Sequence, residues 1–420
     1  MKDTLTLLRS LPPEIFETPK PGDAWARSPL STCSDDVLVQ AVTESIACPK
    51  VEINSSFLLH APLELLARAW HLAQVPPARR ERARRRVAQI AATYANEGYE
   101  IEPKRKEYAS VDHALSALRA ALAEGDADTV DSAMLFLAPR VAFERLRAAL
   151  ADPLLPSLGA AAHAPILLMM LAGAPGPRPA MIGLLRSPLR AIALESDQQL
   201  TWMETAGPPE RAAVQALFER LATLPPRVAS VSTSIAPTML AVERDGYAHG
   251  MLASASSALT ALEAERILLR VAALSMLQDD PAHAPYGWTH CFTLPQAILS
   301  LADEAADITR VVRIAATHVL GFRATLGRAN LQYLYLPEGP IDGRVLPASP
   351  REAAAAALNA DIVERESIKA QLIERAAAHP DAHLAKYTMA CLIAAERNPD
   401  DAALYLAAAA YLSAWWEDGP

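Results

Sequence analysis

This sequence has little glycine and little cysteine, and no dominant charge of one sign. Sixteen glycines stand against 33 prolines in 420 residues, and only four cysteines occur: Cys33, Cys48, Cys291 and Cys391. They are scattered and form no C-x-x-C pair, which excludes a disulfide framework, argues against a thiolate zinc site and points to a reducing compartment. Cations do not dominate: 39 Lys and Arg against 48 Asp and Glu leave a net charge of -9. That balance disfavours a general binder of nucleic acid or anionic membrane. The uncharged run 153–177 is broken by Pro156, Pro165, Pro175 and, near its middle, His163. It reads as a buried core helix with proline-marked ends rather than a membrane span. The opening Met1-Lys2-Asp3 puts an acid where a secretory leader needs positive charge, and Pro12-Pro13 interrupts any apolar stretch. A soluble, cytoplasmic protein is expected.

Motifs are missing too. There is no G-x-G-x-x-G after a strand, no G-x-x-x-x-G-K-[ST], no G-x-S-x-G and no H-E-x-x-H. Rossmann-type and P-loop nucleotide binding therefore have no support, and nothing marks a bound flavin.

Helix signals, in contrast, fill the chain. Ser34-Asp35-Asp36, Ser110 and Asp126 are helix-start residues, Gly98 and Gly125 are stops, and Pro76-Pro77 opens a further helix. Later helices are expected after Pro208-Pro209-Glu210, over 258–277 behind Ser256, and over 303–320, 350–378, 381–397 and 399–416. Strand signals are confined to 51–53 and 228–234. Alanine is abundant, favours helix intrinsically and lets helices approach closely. The expected fold is all-α, one compact multi-helix bundle over 1–420 with a central metal or substrate cavity. The segment Asn398-Pro399-Asp400-Asp401-Ala402 looks like one tetratricopeptide helix, but no 34-residue echo precedes it. Residues 336–350 form the longest irregular insertion, placed to cover a site. The cluster Arg79, Arg80, Arg82, Arg84, Arg85 and Arg86 reads as a solvated helix start, since no aromatic residues interleave it for base stacking.

Four of the ten histidines lie in nearly uncharged segments: His60, His163, His290 and His318. Imidazole on an apolar face is costly without a partner, and helical bundles build metal sites from inward side chains on facing helices. Glu64 follows His60 by one turn. His383 and Lys386 share a face with Met389, where a lysine snorkels to solvent or, if buried, is driven towards its neutral form. His71 and His379 read as surface residues and His113 as exposed in a first helical turn. His249 and His283 suit either a pocket or a loop.

The ordered fragments Phe57-Leu58-Leu59-His60, Ala162-His163-Ala164-Pro165-Ile166, Thr289-His290-Cys291-Phe292-Thr293-Leu294-Pro295, Ala315-Ala316-Thr317-His318 and His383-Leu384-Ala385-Lys386-Tyr387 resemble the questin oxidase-like family. The segment 118–137 also looks like that family's middle region. The family includes non-haem iron enzymes that open anthraquinone rings. The resemblance implies one iron held by His60, His163, His290 and His318 with a carboxylated Lys386, and His383 beside the metal or replacing one of the four. It is imperfect at the first helix, where Glu64 stands in place of a second histidine. Glu64 then orients His60, acts on substrate or enters the metal shell. Glu64, His383 and Tyr387 are the expected catalytic residues, and Tyr387, Trp288, Phe292 and residues 336–350 the expected pocket elements.

The expected activity is that of an oxidoreductase using dioxygen on an aromatic or polyketide-like small molecule. Direct ring-opening dioxygenation and a reductant-dependent (NADPH) Baeyer–Villiger-type insertion both fit the sequence. The alternatives are a non-catalytic helical scaffold, with its histidines satisfied in the core, and a zinc-dependent hydrolytic enzyme on the same fold. No nucleic-acid or membrane partner is expected.

Overall fold

A computed structural model of the chain describes residues 23–51, 55–174, 179–205, 214–228, 234–253, 259–280, 285–339 and 345–418. The helix signals at 208–210, Ser256 and Ala258, the strand signals at 52–53 and 229–233, and His283 lie outside them. Among the described residues the chain is helical apart from one two-stranded antiparallel sheet, in which Lys50 pairs with Glu100 and Val51 with Tyr99, and an isolated bridge between Ser157 and Gln199. It is all-α. No described helix is long and apolar enough to cross a membrane.

The helix ends follow the local chemistry. The Ser34 hydroxyl accepts from the Val37 N–H to start Asp35–Ile46, and Ser110 accepts from His113 N to start Val111–Glu124. That second helix stops at Gly125, whose φ of +81° is open to glycine at little cost; Asp126 then caps Ala127–Leu137. Three expected helices differ from the sequence reading. The run expected as one helix over 153–177 is interrupted by a turn at Gly159–Ala162, and its helix is His163–Gly173. The span expected over 303–320 is Ile308–Leu326, because Asp307 rather than Asp303 caps it. The span expected over 350–378 is two helices, Pro350–Asn359 and Ile362–Ala378. Between them the Asp361 carboxylate accepts from Glu364 N and the Glu364 carboxylate from Asp361 N, both at 2.9 Å. That reciprocal cap starts a new helix in an otherwise helix-favouring run.

The chain forms two compact units, each discontinuous in sequence. The first takes residues 1–153, 167–197 and 373–386. In it Asp35–Ile46, Ser56–Gln74 and Glu81–Asn96 pack on one another, and Val111–Glu124, Ala127–Leu137 and Arg186–Leu194 form a second layer. The other takes 154–166, 198–372 and 387–420. Its centre is Ala261–Leu277, Tyr286–Leu299 and Ile308–Leu326, with Pro350–Asn359 lying along the alanine-rich Ala402–Asp418.

Arginine is structural in the first unit. The solvated reading of the arginine cluster is corrected for Arg84 and Arg85, which are buried. Arg84 clamps Asp35 and the carbonyls of Leu30 and Cys33, while Arg85 pairs with Asp23 at 2.6 Å and Glu81 at 3.0 Å. The fully buried Arg68 holds Glu64 at 2.6 Å and donates to the carbonyls of Ala376, Ala377, His379 and Pro380. It thereby satisfies the last carbonyls of Ile362–Ala378, where a cation also opposes the helix dipole.

Arg68→Ala strands the Glu64 carboxylate and several carbonyls in the core, and is expected to lower unfolding free energy in urea by about 3–5 kcal/mol. Arg68→Lys should recover little of that, because an ammonium cannot span so many acceptors in one plane. A loss below about 1 kcal/mol for the alanine variant contradicts the clamp.

Candidate metal centre

In the second unit His163 sits at the mouth of an unusual turn. Ala160, Ala161 and Ala162 all have positive φ, between 50° and 56°, where a Cβ crowds the following carbonyl at a cost of roughly 1–2 kcal/mol per residue. The turn aims the Ala160 carbonyl at the ring, and His163 Nδ1 lies 3.0 Å from it. His290 is fixed by ordinary helix geometry: on Tyr286–Leu299 its Nδ1 lies 2.9 Å from the Tyr286 carbonyl, four residues back. A carbonyl only accepts, so each Nδ1 carries the proton and each Nε2 keeps its lone pair.

The two rings meet nearly edge to face, 5.2 Å between centroids and 77° between planes, with Nε2 facing Nε2 at 3.3 Å. Both rings are buried. Two lone pairs at that distance repel unless something positive lies between them. Two imidazoles bound to one ion at about 2.0–2.1 Å with a near-tetrahedral angle have their nitrogens roughly 3.3 Å apart. The spacing fits that arrangement.

In the first unit His60 has the same arrangement. It is buried on Ser56–Gln74, and its Nδ1 lies 2.6 Å from the Ser56 carbonyl. Of the buried described histidines, His60, His163 and His290 make this Nδ1-to-carbonyl contact. His71 uses its other nitrogen, with Nε2 2.9 Å from the Ala385 carbonyl. His383 stands 4.7 Å from His60 between ring centroids, and its Nδ1 is 3.4 Å from the Asp381 carboxylate. Burial, and then the Lys386 charge, lower its pKa, against the opposing pull of Asp381. Lys386 is buried, and desolvation lowers its ammonium to about 7 even though Asp381 and Glu64 favour the charged form. The lysine therefore does not snorkel to solvent. Glu64 is engaged by Arg68 rather than by His60.

The other expected site residues are placed differently. His318 is buried with Nδ1 lacking a hydrogen-bond partner, and burial lowers its pKa to about 3. The structure does not bring its ring nitrogens within 4.8 Å of both His163 and His290. Two ligands of one ion are at most about 4.2 Å apart, so His318 does not share an ion with that pair in this arrangement. Tyr387 is fully buried, 5.4 Å from the Phe292 ring, and desolvation raises its phenol far above the ordinary value. Phe292 also contacts Tyr405, and Trp288 donates its Nε1–H to Asp279. Tyr387 and Phe292 are packed in the core, while Trp288 lines a small pocket of about 40 Å³ together with Asp279 and Arg323. Of residues 336–350, 340–344 lie outside the described set; Leu336 and Val345 are exposed and Leu346 is buried.

His71, expected on the surface, is fully buried and lowered to about 4, mainly by desolvation. His379 is half-buried and likewise lowered to about 4, with burial the main cause. His113 and His249 are exposed. His71 and Arg68 were within reach of the sequence: the spacing 60, 64, 68, 71 puts four polar side chains on one helical face. No protein-family model, curated protein or solved structure matches the chain.

Two measurements test these environments. His71 and His318 are held neutral when folded, below the ordinary histidine value of 6.5. Their share of stability is thus complete above about pH 6.5 and is lost as pH falls towards 4, by roughly 1.4 kcal/mol per pH unit for each ring. Urea unfolding between pH 7 and 4.5 should show that slope, and His318→Leu should make it shallower by one ring's share; an unchanged slope contradicts the assignment. Ala161→Gly should stabilise the fold by about 1 kcal/mol by relieving the left-handed turn, and a loss of stability contradicts the strain.

Proposed function

We propose that this chain is a mononuclear non-haem iron oxygenase, with His60, His163 and His290 as its imidazole ligands, acting with dioxygen on an aromatic or polyketide-like small molecule. The observation that carries the reading is the facing of two Nε2 lone pairs at 3.3 Å in a buried setting, each ring locked by a carbonyl on Nδ1. A carbonyl on the far nitrogen is the outer-shell contact that orients metal-bound histidine and raises its basicity. The same lock on His60 supports it as the third ligand.

Iron, when bound, supplies redox chemistry towards dioxygen that no side chain here provides, while the protein binds, orients and shields. Imidazole nitrogen and carboxylate-type oxygen suit divalent iron, with zinc and copper as competitors. Lys386 belongs to the proposal as the oxygen donor. Its amine reacts with carbon dioxide, the nitrogen bonding to carbon and losing a proton, to give a carbamate. The buried position of the side chain favours the neutral amine that this reaction requires over an ammonium; the carbamate is an anion, whose charge a cation held by the imidazoles would balance. His383, beside His60 and against Asp381, orients the first ring or holds a proton next to it.

Protein purified without oxygen should hold close to one iron per chain by elemental analysis. His163→Ala and His290→Ala should each reduce that at least tenfold. Stoichiometric zinc in place of iron favours the hydrolytic alternative. Metal-free protein whose histidine variants lose only stability favours the scaffold.

A further inference from the structure

The first unit contains a cleft of about 400 Å³ lined by Phe57, Glu64, Arg86, Gln89, Ile90, Thr93 and Pro380. Its two walls are helices. Phe57 and Glu64 come from Ser56–Gln74, seven residues apart, and His60 lies between them on the same helical face. Arg86, Gln89, Ile90 and Thr93 come from one face of Glu81–Asn96, and Pro380 closes one end. The volume falls within the range of roughly 300–1,000 Å³ typical of small-molecule sites.

The polar groups differ in how far the protein satisfies them. The Glu64 carboxylate is taken by Arg68, and Arg86 donates to the Ala378 carbonyl and the Gln89 amide oxygen. The Gln89 amide N–H₂ and the Thr93 hydroxyl donate to no protein group among the described residues. They are four residues apart on one helix, so both donors sit on the same stripe beside the apolar surface of Ile90. Phe57 and Pro380 supply the rest of the apolar wall.

The geometry points to this cleft as the binding site of a largely apolar small molecule carrying an acceptor oxygen at one edge. The apolar body lies against Phe57 and Ile90, and the oxygen accepts from Gln89 Nε2 and Thr93 Oγ1. A molecule held there lies beside the helical face that carries His60, so the cleft deepens the oxygenase reading by naming where its substrate is held. Binding itself requires no metal.

Equilibrium dialysis with 1-indanone, and with indane as the same body lacking oxygen, tests the assignment. Full-length protein should bind 1-indanone saturably and about tenfold or more tighter than indane. Thr93→Val should weaken 1-indanone several-fold and leave indane unchanged, with Gln89→Leu acting in the same direction. Ile90→Trp, filling the cleft, should abolish both. Circular dichroism and urea midpoints identify folded variants, and Thr93→Val, the mildest change, carries the test by itself. Absence of saturable 1-indanone binding, equal affinity for the two probes, or full affinity in folded Thr93→Val or Ile90→Trp overturns the proposal. Dialysis and elemental analysis of the unsubstituted full-length chain separate the two readings. Ketone binding without metal leaves the cleft and removes the iron centre, and metal binding without ketone binding does the reverse.

Discussion

A single hydrogen bond, from a histidine Nδ1–H to a backbone carbonyl, is the constraint on which the site depends. It selects one tautomer, stops the ring from turning and leaves the lone pair on Nε2. Three buried histidines make it, by two routes. His60 and His290 use the carbonyl four residues earlier on their own helices, which an unbroken helix offers at no extra strain. His163 stands at the start of its helix and has no such turn behind it. The chain instead passes through three left-handed alanines that bring the Ala160 carbonyl to the ring. The backbone strain is thus held at the point where the His163 ring is aimed.

The helix carrying His60 is organised along one face. His60 meets His383, Arg68 binds the Glu64 carboxylate and the carbonyls at the end of Ile362–Ala378, and His71 meets the Ala385 carbonyl. Each contact reaches the segment 376–386, so residues more than 300 positions apart are tied by polar groups inside the first unit. Buried ions of this kind are poor net stabilisers compared with apolar packing, but removing one partner is severe, which makes the arrangement unforgiving and its geometry specific. Lys386 lies in the same segment, and its burial follows from that docking.

Much of the fold was legible in the sequence, and for identifiable reasons. Ser34, Ser110, Gly125 and Asp126 act as cap and stop residues in the structure as their side-chain chemistry dictates. Asp361 was hidden inside a helix-favouring run, where only its pairing with Glu364 marks a new start. The site was partly legible. Low neighbouring charge singled out His60, His163, His290 and His318, and all four are buried, yet burial alone does not say where a ring points. That is why His318 looked equivalent and is placed apart from the His163–His290 pair. His71 was misread because the nearby arginines suggested solvent, while the same side of the chain is packed by carbonyls. The left-handed alanines gave no sequence signal, since glycine, asparagine and aspartate are the residues that mark positive φ in a sequence and alanine is not among them. Phe292 and Tyr387 are packed in the core, Trp288 lines a small pocket, and the larger cleft is lined by residues such as Gln89 and Thr93 that no motif distinguishes.

The central claim is that locked imidazoles present their Nε2 atoms to one iron. X-ray absorption at the iron edge of anaerobically loaded protein addresses it most directly. About three imidazoles are expected, seen as nitrogen near 2.1 Å with the outer-shell scattering of histidine rings, and that signal should be lost with the iron in His290→Ala. An oxygen-only shell without ring scattering, or a spectrum unchanged in that variant, contradicts it.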